Sequence, residues 1–124
     1  MHEPRPGGVG IRRAYDEPHP DDGYRVLVDR VWPRGRSKAV LRLDEWCRVV
    51  APSTELRRWF GHDPARWEEF QVRYRAELAG ASDVGRLAGI ARRRRLTLVY
   101  GSADVRHNQA VVLAAVITEA LAAG

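Results

Sequence analysis

Among 124 residues there is one cysteine, Cys47. A lone thiol forms no internal bridge, so a disulfide-stapled scaffold is excluded. Lysine is nearly absent too. Of the 21 basic residues only Lys38 is a lysine, and the rest are arginine. No apolar run approaches the roughly 20 residues that a membrane-crossing helix needs. The opening stretch MHEPRPGGVG has no apolar core of the kind a secretory signal carries, which makes the cytoplasm the expected compartment. Three fingerprints are missing as well. There is no G-x-x-x-x-G-K-[ST] phosphate loop, no G-x-G-x-x-G dinucleotide loop and no G-x-S-x-G nucleophile elbow. No repeat or low-complexity segment is visible.

What is there describes a globular domain. Hydrophobic residues make up 44% and charged residues 30%, a balance that disordered chains lack. The length matches one domain and suffices to bury about two-thirds of the unfolded surface. Residues 1–8, rich in Pro and Gly, read as a flexible tail, with a single domain over 9–124. The formal net charge is +5. That charge favours phosphate-bearing partners, nucleic acid included, and arginine suits bidentate contacts to phosphate or carboxylate. Codon usage produces the same arginine bias, and 16 acidic residues are interspersed with the basic ones.

The pattern predicts strands at Val9–Tyr15 and Tyr24–Val31, the latter with a continuous apolar centre fit for burial on both faces. DEPHPDDG (16–23) and WPRGRSK (32–38) are loops. Leu41–Val50 reads equally as helix or edge strand, and Pro52 ends it either way. Ser53 or Thr54 caps a short helix that Gly61 stops. Asp63 and Pro64 open another, with Trp67, Phe70, Tyr74 and Leu78 on its core face. Asp83 caps a third helix running to Arg92–Arg95. Leu96–Tyr100 is a buried strand, and the last helix spans about Val105 to Ala122. The helix–strand–helix order at the end predicts an α/β fold: a single three-layer domain with a mainly parallel sheet, Rossmann-like or flavodoxin-like.

In such sheets ligands bind beyond the carboxyl ends of the strands, and two strand ends carry polar residues. Asp29, Arg30, Arg34, Gly35, Ser37 and Lys38 follow the second strand. Asp29 there can orient an arginine, and the glycine lets backbone amides approach an anion. The alternative is that Asp29 and Arg30 staple the sheet edge. Tyr100 ends the later strand and leads toward His107 and Asn108 at the start of the last helix. There the helix dipole favours a neutral imidazole able to move a proton. The plainer alternative is that Asp104 and Asn108 cap the helix. His62, between two helices, either reaches a ligand or braces its turn. Trp59, Phe60 and Trp67 read as core, and Cys47 as an inert buried thiol. Neither His62, Asp63 and His107 nor His19, Asp21 and Asp22 have metal-ligand spacing. No metal and no cofactor are expected.

Three stretches, YDEPHPDDGYRVLVDRVWPRG (15–35), LDEWCRVVAPSTELRRWFGHDPARWEEFQVRYRAEL (43–78) and LTLVYGSADVRHNQAVVLAAVI (96–117), resemble domain-of-unknown-function family 488 in its YeaO-like branch. The resemblance covers most of the chain. It implies a compact α/β fold and recurring polar positions at Asp29, Arg30, Pro33, Arg34, Gly35, His62, Asp63, His107 and Asn108. It implies no reaction. Broader members carry a Cys-His-Arg string where this chain has Arg106, His107 and Asn108, so thiol chemistry does not carry over.

The function expected is binding of a small anionic ligand, phosphate- or carboxylate-bearing, at the carboxyl ends of the strands. Arg30 and Arg34 would hold the anion, and His107 is the candidate for proton transfer, with catalysis undecided. One alternative is an arginine-rich nucleic-acid-binding or regulatory accessory protein. The other is a dimeric interaction module built on the apolar last helix, AVVLAAVI.

Overall fold

The structure is a computed structural model that describes residues 8–123. The tail expected at 1–8 thus lies outside the described residues except for Gly8, whose carbonyl accepts from the Leu96 N–H at 3.0 Å. Four strands form one sheet: β1 (Val9–Arg13), β2 (Tyr24–Leu27), β3 (Glu45–Trp46) and β4 (Leu96–Tyr100). Their spatial order is β1-β4-β2-β3, and every neighbouring pair is parallel. β4 is central and wholly buried, as its mostly apolar sequence requires, and the hydroxyl of its one polar residue, Thr97, donates to the Asp22 carbonyl. β2 and β4 pair with Leu27 opposite Val99.

Five helices accompany the sheet: α1 (Lys38–Leu41), α2 (Thr54–Phe60), α3 (Trp67–Leu78), α4 (Ser82–Arg93) and α5 (Gln109–Ala123). Strand side chains alternate between two cores. Val26, Val28, Leu96, Leu98 and Tyr100 face the main core with Phe70, Tyr74, Leu87, Leu113 and Ile117 from α3, α4 and α5. On the other side Ala14, Leu27, Leu41 and Val99 are buried, with Trp32, Leu43 and Trp46 packed against them. That second cover is a thin layer made by the 32–46 segment rather than by long helices.

Local chemistry sets most element ends. Ser53 caps α2 through its hydroxyl, which accepts from the Leu56 N–H at 3.1 Å, and Gly61 ends it in the left-handed region at φ 53°. Asp63 accepts from the Ala65 N–H and opens a 3₁₀ turn, Pro64–Arg66, that runs into α3. Three expectations are corrected. Leu41–Val50 is neither one helix nor one strand but the end of α1, the two-residue β3 and a 3₁₀ turn at Arg48–Val50. The cap of α4 is Ala81, not Asp83, which lies inside the first turn. α5 starts at Gln109 rather than Val105, because side chains of 104–108 occupy the backbone amides there. β1 and β2 are also shorter than their apolar runs, ending at Arg13 and Leu27.

Candidate functional site

The parallel register decides what meets beyond the sheet. With Leu27 opposite Val99, two further residues on each chain bring Asp29 opposite Gly101. Val28 keeps the strands together by donating to the Val99 carbonyl at 3.0 Å. The Gly101 N–H then donates to Asp29 Oδ2 at 2.9 Å, and Gln109 Nε2 donates to Asp29 Oδ1. Gly101 must be glycine for this approach, since a Cβ there would lie 2.8 Å from Asp29 Oδ2.

A cavity of about 270 Å³ opens at this point. Its apolar lining includes Val31, Pro33, Pro52, Phe60 and Phe70, and its polar lining includes Asp29, Arg30, Arg57, His62, His107 and Gln109. Both strand-end stretches singled out in the sequence therefore reach one hollow. Burial pushes the Asp29 carboxyl up to about 6, outweighing the Gly101 N–H, the Gln109 amide and the charges of Arg57 and His62, which all pull it down.

His107 is held from two sides. Its Nδ1 lies 2.9 Å from Asp104 Oδ2, and its ring stands edge-on to Trp67 with centroids 5.2 Å apart. The N–H groups of Arg106 and His107 donate to Asp104 Oδ1. The Arg106 N–H first, and then the His107 ring, hold the Asp104 carboxyl below its ordinary value. Against a carboxylate, Nδ1 is the nitrogen that donates, so Asp104 fixes the ring's orientation through that side. Asn108 serves structure: its Oδ1 accepts from the Val111 N–H at 3.2 Å, capping α5, and its Nδ2 donates to the Asp104 carbonyl.

The remaining site expectations fare differently. Asp29 orients no arginine; its partners are Gly101 and Gln109. Arg30 lines the cavity, yet its Nε and Nη2 donate to the carbonyls of Pro52 and Ala51 at 3.1 and 3.2 Å. Arg34 is exposed and outside the lining; its carbonyl accepts from the Tyr15 hydroxyl. Gly35 adopts φ 78° in open space, and Ser37 caps α1 by accepting from the Val40 N–H. The 29–37 loop is pinned elsewhere, with Trp46 Nε1 donating to the Asp29 carbonyl and Trp32 Nε1 to that of Arg36. Tyr100 is buried in the main core rather than lining the cavity. His62 lines it, held at φ 57°. Among the described residues no group of three His, Cys, Asp or Glu could hold a metal ion.

Sequence reasoning missed Arg57 and Gln109, and read Asp104 only as a helix cap and Trp67 only as core. Asp104 had a signal, an aspartate two and three residues ahead of amides it could accept from. Arg57 had none, since Arg57 and Arg58 are indistinguishable until the helix is oriented.

A model of the inactive DUF488-N3 subclade matches residues 8–124. The chain belongs to this DUF488 subclade. Among DUF488 relatives, the uncharacterized protein YeaO of Escherichia coli K12 is 47% identical over 107 residues, covering 86% of this chain and 93% of that protein. The uncharacterized proteins Rv3073c of Mycobacterium tuberculosis H37Rv and Mb3100c of Mycobacterium bovis are each 43% identical over 106 residues, 86% of this chain and 90% of theirs. No solved structure matches the chain. The YeaO-like resemblance read from the three stretches is thus confirmed, and the fold is the α/β one it implied.

Proposed function

We propose that this protein binds a small anionic ligand in the cavity at the carboxyl ends of β2 and β4, and does so without turning it over. The observation that carries the reading is the convergence of Arg57 and His62, from α2 and the turn after it, and His107, from ahead of α5, on one hollow that is otherwise largely apolar. A guanidinium and imidazole N–H donors beside apolar side chains suit a compact anion with an apolar body. The description of the matched subclade as inactive supports binding over catalysis, as does Arg106 at the position of the cysteine in broader members.

The arginine excess supports nucleic-acid binding less than the sequence suggested. Arg12 and Arg25 are paired with Asp22, Arg75 with Glu119 and Arg86 with Glu45. Such internal pairs leave fewer guanidinium groups for a phosphate backbone.

A thermal-shift panel of small carboxylates and phosphates tests the proposal. Ligand at a hundredfold excess over its dissociation constant should stabilise the fold by about 2.7 kcal/mol. Replacing Arg57 by Ala should abolish the shift while leaving the unliganded midpoint nearly unchanged. Absence of any shift across the panel, with steeply salt-dependent affinity for generic DNA, would turn the assignment to nucleic acid.

A further inference from the structure

The cavity has more to say about which anion it suits. Its positive lining is weaker than a count of residues implies, because the Arg30 guanidinium is already engaged by two backbone carbonyls. A phosphate dianion would bring two charges to desolvate against Phe60, Phe70 and Pro52, with one acid beside it. The cavity of about 270 Å³ accommodates a compact body. Asp29 adds a chemical demand. Its partners within the described residues, the Gly101 N–H and the Gln109 amide, both donate to it. Once protonated, its O–H has an acceptor to find, and the cavity it lines is where an acceptor can be placed.

We propose that the ligand is a compact monocarboxylic acid with an apolar body, bound as its carboxylate by a hydrogen bond from the protonated carboxyl of Asp29. This rests on the anion-binding reading above. The proton comes from solvent, so each ligand bound above neutral pH carries one proton in with it. A carboxylate and a carboxylic acid sharing a proton make a short, charge-assisted hydrogen bond. An anion placed beside Asp29 also disfavours its ionisation, in the direction that burial already drives it. The charged and titratable groups facing Asp29 are Arg30 on its own loop, Arg57 on α2, His62 after it, Tyr74 on α3, and His107 ahead of α5. Of these, histidine is the residue type that ordinarily titrates in the same range as the test, so the test separates His62 and His107 from Asp29.

Benzoate and inorganic phosphate are the probes, titrated calorimetrically between pH 5.5 and 8 in two buffers of different ionisation heat. Benzoate should bind more tightly than phosphate. Its affinity should fall close to tenfold per pH unit above about pH 7, as the protonated fraction of Asp29 falls. Asp29→Asn, which carries an amide donor at every pH, should keep benzoate binding and lose the proton uptake. His62→Gln and His107→Gln, made singly, should each weaken benzoate and still take up about one proton per benzoate bound, which covers the case in which Asp29→Asn does not fold. If phosphate binds more tightly throughout, or uptake persists in Asp29→Asn or is missing in a histidine variant that still binds benzoate, the carboxylic-acid assignment is overturned while the anion site stands. If neither probe binds at any pH, the anion site itself is overturned.

Discussion

Asp22 is buried and Asp29 half-buried, and their surroundings send them in opposite directions. At Asp22, burial pushes the carboxyl up, but the His19 N–H and the guanidinium groups of Arg12 and Arg25 outweigh it and hold it below its ordinary value. Arg25 Nη1 and Arg12 Nε each donate to it at 2.6 Å. Asp22→Ala would strand the buried Arg25 charge, and denaturant unfolding should show a loss of about 3–5 kcal/mol. At Asp29 burial wins. The folded protein holds a proton there more tightly than the unfolded chain, so protonation stabilises the fold and ionisation costs. Raising pH from 3.8 to about 6 should therefore cost on the order of 2–3 kcal/mol relative to Asp29→Asn, with no further change in that difference above the window. Stability curves of both proteins across pH check it. Gly101→Ala should cost about 1–3 kcal/mol, because the new methyl needs the space of Asp29 Oδ2. The same variant should weaken any ligand that reads that carboxyl.

At the scale of elements, what the sequence revealed depended on whether side chains or backbone carried the signal. LTLVY declares a strand because four apolar residues and the β-branched Thr97 suit a position covered on both sides. Ser53 and Asp63 declare helix starts because their oxygens satisfy amides otherwise left open. The start of α5 was misplaced because SADVRHN contains two such oxygens. Asp104 takes the amides of Arg106 and His107, and only then does Asn108 take that of Val111. Local polar bonds of this kind compete with the helix and delay it. β3 was illegible since two residues have no periodicity. Removing the cap by Asn108→Ala should lower stability by about 1–2 kcal/mol and leave the Val111 N–H with the residue-108 carbonyl alone. Faster hydrogen exchange at the first turn of α5, with the centre of the helix unchanged, is the signature to measure.

For the whole molecule, the sheet order does the assembling. β4 enters between β1 and β2, and its parallel register sets residue 101 against residue 29, which stand 72 positions apart in the chain. Half of the candidate site was legible from that rule of parallel sheets: Asp29, Arg30, His62, His107 and Asn108 all line the cavity. Arg34, Gly35 and Ser37 do not, because the tryptophan anchors and the cap of α1 hold their loop away. Arg57 and Gln109 were invisible until tertiary packing oriented them. No helix among the described residues is long and apolar enough to cross a membrane. The most direct test is to titrate uniformly nitrogen-15-labelled protein with a small carboxylate and follow its amide spectrum. Binding at the proposed site predicts saturable shifts centred on Gly101, His107 and Gln109, absent in Arg57→Ala. Shifts scattered over the arginine-bearing surface, or none at saturating ligand, would contradict it.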